Sequence, residues 1–177
     1  MGKLVFVVHK HDATQLHYDF RLQIGDTMPS WAIPKGPTLD PQFKRLAMKV
    51  DDHDLSYKDF EGVIDEGKYG AGPVMIWDEG TYLPEVEVAK GERVRVEGFE
   101  EGQEVIQEEL TKGEIKFFLE GSKLKGSFAL VKTKGFPPGV KNAWLLIKHK
   151  DEYIKVGFDA KDYDFSAHSG RSISEIK

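Results

Sequence analysis

The 177-residue sequence predicts a mainly β protein, a single antiparallel β-barrel or sandwich with only a few short helices. Three observations predict it. Seven or more short runs rich in Val, Ile, Phe, Tyr and Trp recur along the chain. Gly, Pro and Asp turn signals separate them, and helical spacing is too scarce to build the crossovers that parallel strands require. At this length a hydrophobic content of 40% supplies one sizeable core.

Residues 4–8 are apolar and β-branched and read as the first strand, leading into His9 and His11. Residues 12–16 read as a turn or helical turn, and residues 18–24 as a second strand closed by Gly25-Asp26. A short strand over 28–33 precedes the P-K-G-P-T-L-D-P loop of residues 34–41, which its prolines stiffen. Strand character resumes over 44–50 and delivers Asp51, Asp52 and His53 at its far end.

The glycine-rich E-G-K-Y-G-A-G of residues 66–72 fits neither phosphate-binding fingerprint, because its spacing is wrong and a strand follows it. It reads as a bulge or sharp barrel corner before a strand over 73–78, with the next turn at Gly80. Further strands are expected over 93–97, 115–119, 126–132 and 143–149. The best helix spans 99–110, where Phe99, Val105, Ile106 and Leu110 recur at roughly helical spacing among acidic residues. The expected division is a barrel domain over residues 1–165 and a short polar C-terminal tail over 166–177, poorly ordered.

Absence of cysteine excludes disulfides, zinc ribbons, Fe–S clusters and thiol nucleophiles, and is compatible with a cytoplasmic protein. The opening apolar run of five residues is too short for a secretory or membrane segment, and Gly2 lacks the Ser or Thr of a myristoylation signal. A net charge of −5 argues against a sequence-independent nucleic-acid coat. The charge is unevenly spread. Residues 51–109 carry eighteen Asp/Glu against five Lys/Arg (−13), and residues 112–150 carry nine Lys against two Glu (+7). That asymmetry fits either solvated faces or a basic surface beside an acidic one.

The chemistry concentrates in H-D-A-T-Q-L-H-Y-D-F-R, residues 11–21. Strand alternation turns His17, Asp19 and Arg21 to one face while Tyr18, Phe20 and Leu22 turn to the core. Two imidazoles and a carboxylate suit a divalent transition metal, and a guanidinium in the same row suits an oxyanion such as phosphate. His11 reaches the same ion only if the 12–16 turn folds back. Three protein ligands leave positions for water and substrate, as catalysis needs. Nitrogen and oxygen donors without sulfur favour manganese, iron or cobalt, with zinc still open. His53, with Tyr57 four residues on, is placed to assist a leaving group or stabilise transferring charge. Lys35 and Arg45 flank the proline loop and could steer phosphates. His149 reads as basic surface and His168 as incidental. His-x-Asp with a further histidine is also the facial-triad pattern of non-haem Fe(II) oxygenases on β-barrels, and a catalytically inactive nucleic-acid end-binding module is a third reading.

Several segments together resemble a known family: V-V-H-K-H-D-A-T-Q-L-H-Y-D-F-R-L, W-A-I-P-K-G-P, D-D-H-D-L-S-Y-K-D-F-E-G, G-K-Y-G-A-G-P-V-M-I-W-D-E-G-T-Y, L-K-G-S-F-A-L-V and W-L-L-I-K-H-K-D-E-Y, with S-G-R-S-I-S-E-I more weakly. In this order they are similar to the 3'-phosphoesterase domain of bacterial DNA ligase D and its stand-alone archaeal and bacterial relatives. The resemblance implies a compact β-barrel and a manganese-dependent enzyme, with cobalt or zinc as other ions. Such an enzyme trims 3' ends of DNA or RNA in non-homologous end joining. It removes a terminal ribonucleoside by a phosphodiesterase step, then the 3'-phosphate, beside ligase, polymerase and Ku-type factors and away from membranes. By motif, His11, His17 and Asp19 carry the metal, and Arg21 and His53 the scissile phosphate. Tyr57 matches another functionally required position, while Lys35 and Arg45 match basic residues of the phosphatase step. His9 stands where glutamine is common and shares strand parity with His11, which implies an extra ligand or a supporting role. Asp51 stands where a glutamate contributes in some members. The family's usual segment before the first strand, which contributes charged residues to activity, has no counterpart in the given chain, so the strength of the diesterase step stays open.

Overall fold

The computed structural model describes residues 2–176; Met1 and Lys177, the outer ends of the expected domain and tail, lie outside them. Ten strands form: β1 (Leu4–Asp12), β2 (Leu16–Leu22), β3 (Thr27–Ile33), β4 (Arg45–Asp54), β5 (Gly62–Ile64), β6 (Gly72–Ala89), β7 (Glu92–Arg95), β8 (Glu114–Gly121), β9 (Lys125–Lys132) and β10 (Ala143–Lys148). One helix, α1 (Phe99–Lys112), precedes β8, and 3-10 turns occupy Leu55–Asp59, Ala160–Tyr163 and Ile173–Glu175. Every strand pair is antiparallel. The path β1-β2-β3-β4-β10-β9-β8-β6 returns to β1, giving a closed eight-stranded barrel. Closure pairs each of these eight strands on both sides along at least part of its length.

Period-two alternation fills the interior. Leu4, Phe6 and Val8 of β1, Tyr18, Phe20 and Leu22 of β2, and Trp31 and Ile33 of β3 all enter one core. Phe20 stacks on Phe117 at 5.5 Å, and Phe117 on Phe128 at 6.0 Å. Such a barrel is packed solid by its own side chains. α1 adds Phe99, Ile106 and Leu110 to this core. It carries Glu100 and Glu101 in its first turn and Lys112 in its last, and ends on Gly113 in the left-handed conformation (φ 84°). Charge placement and C-cap thus agree with the helix dipole and the αL stop.

Three expectations change. β1 does not end at Val8; paired on both sides, with β2 and β6, it runs through His9 and His11 to Asp12. β6 does not turn at Gly80 but continues to Ala89, because Gly80 is a point of close approach: a Cβ there would stand 2.1 Å from the Glu120 carbonyl oxygen of β8. The C-terminal residues do not hang free. Phe158, Ala160 and Ile176 are in the core, Trp77 Nε1 donates to the Tyr163 carbonyl at 3.0 Å, and Ser166 is 3% exposed.

Candidate active site on the outer face of the barrel

The face of β1 and β2 turned away from the core carries the chemistry. In the β1–β2 hairpin His11 stands opposite His17, His9 opposite Asp19, and Val7 opposite Arg21, so His9, His11, His17, Asp19 and Arg21 share one surface. The 12–16 turn does fold back, as the expectation required: it closes the hairpin through the Asp12–Leu16 pair and so sets His11 opposite His17. His17 Nε2 lies 3.2 Å and His11 Nδ1 4.0 Å from Asp19 Oδ2, and one donor atom from each of the three falls within 4.8 Å of the others.

Their remaining ring nitrogens are committed elsewhere. His11 Nε2 donates to the Gly70 carbonyl at 2.7 Å, and His17 Nδ1 to the Gln15 carbonyl at 2.9 Å. Each bond fixes a tautomer whose inward nitrogen carries a lone pair, in His17 once the proton it shares with Asp19 is given up, the usual arrangement around a bound metal. The donor set therefore fits a divalent cation, which would satisfy all three inward atoms at once. The glycine-rich segment packs against this triad. It brings the Gly70 carbonyl onto His11, and Gly72, at φ 129°, passes so close to β1 that a Cβ would stand 2.1 Å from the Asp12 carbonyl oxygen.

Arg21 is 3% exposed and almost fully engaged. Its Nε donates to His9 Nδ1 at 3.0 Å, Nη1 to Ser30 Oγ and His53 Nδ1 at 3.0 Å each, and Nη2 to Asp19 Oδ2 at 3.4 Å. Four of the five guanidinium N–H groups are thus used, and one on Nη2 has no protein acceptor among the described residues. Tyr57 covers the guanidinium, its ring 5.2 Å from Arg21 Cζ, 5.1 Å from the His9 ring and 4.9 Å from the His53 ring. A β-bulge delivers His53 here: Ser30 pairs with Val50 but Met28 pairs with His53, so β4 takes three steps where β3 takes two. The odd-numbered side chains of β4, led by core residue Ala47, would otherwise face the interior.

Electrostatics follow from burial beside one fixed cation. Burial, then the charge of Arg21, depresses His9 to about 3. Burial also lowers His11 and His53, the latter with help from Arg21. The hydrogen bond to Asp19 raises His17. Burial works against the Asp19 charge, but the bond from His17 and the guanidinium of Arg21 outweigh it and hold that carboxyl below its usual range. Burial raises the Tyr57 phenol. The site therefore presents His9, His11 and His53 as neutral imidazoles, a His17 that holds its proton more firmly against the Asp19 carboxylate, one guanidinium and a phenol.

Other expected residues lie apart. Lys35 is exposed in the β3–β4 loop, two residues past Ile33, and Arg45 opens β4 opposite Leu146, its Cζ 5.7 Å from the Phe43 ring. Neither hydrogen-bonds to the cluster among the described residues. Asp51 turns its carboxylate outward, and only its carbonyl approaches His53, at 3.3 Å. His149 follows β10 on the opposite wall, where its backbone donates to Ser127, and His168 lies 3.6 Å from Glu79. Three further groups meet the cluster outside the expected set. Ser30 is signalled only by a small polar residue on a core strand, and the Phe60 carbonyl, which accepts from His9 Nε2 at 3.1 Å, by nothing local. The Gly70 carbonyl is signalled by its glycine-rich setting. Among the described residues no helix is long and apolar enough to cross a membrane.

Comparison with known proteins converges on one family. The multifunctional non-homologous end joining protein LigD of Pseudomonas aeruginosa is 45% identical over 150 residues, covering 85% of this chain and 16% of that protein. The LigD protein of Mycolicibacterium smegmatis is 37% identical over 147 residues (83% and 17%), and that of Mycobacterium tuberculosis 34% over 147 residues (83% and 16%). The chain thus spans about a sixth of the length of these relatives. A family model described as DNA Ligase D 3'-phosphoesterase domain matches residues 9–132, the span that holds His9, His11, His17, Asp19, Arg21, His53 and Tyr57, and this chain belongs to that family.

Proposed function

We propose that the chain is a metal-dependent phosphoesterase that heals 3' ends of DNA or RNA during double-strand-break repair. It would remove a terminal ribonucleoside and then the 3'-phosphate. One observation carries the reading: a buried arginine, held on four sides and 3.4 Å from the carboxylate of a metal-competent triad, keeps one N–H for a further acceptor. A phosphate oxygen is the acceptor that matches this donor's charge and geometry.

His11, His17 and Asp19 hold the ion, manganese in this reading with cobalt or zinc as substitutes, and when bound it supplies Lewis-acid charge at a phosphate oxygen and activates water. Arg21 stabilises the charge that develops on the phosphoryl oxygens, pre-positioned so that nothing reorganises during the reaction. Because Arg21 donates to His53 Nδ1, His53 carries its proton on Nε2 and stabilises the charge that develops on the departing 3'-oxygen by a hydrogen bond, keeping that proton, while the oxygen takes its proton from water. Tyr57, stacked on Phe60 at 5.2 Å, shields the guanidinium from water. His9 supports Arg21 without contacting substrate, and Lys35, Arg45 and Asp51, which lie apart from the cluster, would meet the nucleic acid beyond the scissile phosphate. The substrate is a primer-template 3' end. The partners are the ligase, polymerase and Ku-type factors of end joining, and the cysteine-free chain suits the cytoplasm.

A primer-template ending in 3'-phosphate tests this. Wild type should release phosphate with manganese and not with chelator, and His17→Ala and Arg21→Ala should each lose it. No release by wild type, or full activity in either variant, sinks the proposal. Tight end binding without turnover would point to the end-binding module, and oxygen consumption with iron(II) and a 2-oxo acid to the oxygenase.

A further inference from the structure

We propose that Glu61 and the C-terminal residues 166–171 form a latch that holds residues 57–60 over Arg21, which makes Glu61, Ser166 and Ser169 positioning residues for the reaction. The latch occupies a gap in the sheet. On one edge of β6, β5 reaches only as far as Val74 and β8 begins only at Gly80. Between them Ile76 turns both backbone groups to non-strand partners: its N–H donates to Glu61 Oε1 at 2.9 Å, and its carbonyl accepts from Ala167 N at 2.8 Å.

The Glu61 side chain is 4% exposed and collects further donors. Ser166 Oγ donates to Oε1 and Ser169 Oγ to Oε2, and Arg171 Nη2 stands 3.4 Å from Oε2. Those hydroxyls have no freedom to point elsewhere. Ser166 Oγ already accepts the N–H groups of His168 and Ser169 at 2.9 Å each, and Ser169 Oγ accepts Arg171 N and Nε at 3.3 Å each. Their protons are thereby aimed at the carboxylate. The segment closes on itself through Ser166 N to the Arg171 carbonyl at 2.8 Å, so it docks as a preformed turn.

What the latch holds is the catalytic roof. Residue 61 follows the peptide whose carbonyl, that of Phe60, takes the His9 Nε2 proton at 3.1 Å, and His9 in turn accepts from Arg21 Nε. Phe60 N donates to the Tyr57 carbonyl at 3.0 Å, and Tyr57 is the ring over the guanidinium. Anchoring Glu61 therefore fixes both groups that orient Arg21, from residues that lie beyond the 9–132 family span. Displacements near 1 Å at such a group cost up to about a hundredfold in rate.

The activity arm of the test rests on the phosphoesterase reading, and a spectroscopic arm does not. In the full chain, the Ser166→Ala/Ser169→Ala variant should lower kcat on the 3'-phosphate end by about tenfold with KM within about twofold. Ser169→Thr, which keeps its hydroxyl, should stay near wild type while Ser169→Ala falls. In 15N NMR the Arg21 Nε–H and His9 Nε2–H protons should be protected in wild type and exchange rapidly in the double variant and in Glu61→Gln. Unchanged protection overturns the latch whatever the activity, as does a kcat loss fully accounted for by loss of folded protein in thermal melts. If wild type releases no phosphate but the exchange difference is present, the phosphoesterase reading falls and the latch stands.

Discussion

Arg21 shows how much one side chain depends on its neighbours. A buried guanidinium is tolerable only if its N–H groups are met, and here an imidazole, a hydroxyl, a second imidazole and a carboxylate meet four of them. His9 is the instructive member, because it accepts from Arg21 with one nitrogen and donates to Phe60 with the other. Glutamine can do the same with its oxygen and its amide nitrogen. His9→Gln should therefore keep kcat within about threefold of wild type, while His9→Ala, which leaves Arg21 Nε and the Phe60 carbonyl unpaired, should lose about ten- to a hundredfold. Steady-state kinetics on the 3'-phosphate end decide it, and equal losses in the two variants would refute the bridging role. From sequence, strand parity links His9 to His11, but its link to Arg21 appears only once β1 and β2 are in register.

Among the elements, β2 was the most legible and β4 the least. In β2 strict alternation separates His17, Asp19 and Arg21 from Tyr18, Phe20 and Leu22, and the barrel keeps that separation. In β4 the same alternation would turn His53 to the interior, and a bulge with no local sequence signal reverses it. α1 was read two residues short at its C-terminus, where Glu109 accepts the Lys116 backbone N–H at 3.0 Å. Burial raises the Glu109 carboxyl to about 7, from an ordinary value of 4.5. The folded chain thus binds more protons than the unfolded chain between these values, and stability falls as pH rises from 4.5 through 7. Glu109→Gln keeps an oxygen acceptor and removes the titration. Its stability relative to wild type should improve between pH 5 and pH 8 in urea denaturation, and a pH-independent difference would refute the assignment.

At the scale of the whole molecule, the candidate site is assembled from both ends of the chain. β1 and β2 supply His11, His17 and Asp19, β3 and β4 supply Ser30 and His53, and the C-terminal turn meets Glu61. Cation binding should therefore stabilise the barrel as a unit. At a hundred times its Kd, manganese should add about 2.7 kcal/mol and raise Tm by about 5–10 °C over a chelator-treated sample. His17→Ala should abolish that shift, and a wild-type Tm indifferent to manganese would remove His11, His17 and Asp19 from consideration as its ligands.

Short-range chemistry in the chain was enough for the β class, the alternating core and the grouping of His17, Asp19 and Arg21. All three follow from side chains that change faces at every residue of an extended backbone. Placing His11 opposite His17, carrying β6 past Gly80, turning His53 outward and packing the C-terminal residues onto Glu61 required the closed sheet. Register, bulges and gap-filling contacts are settled between strands far apart in sequence, where no local pattern records them.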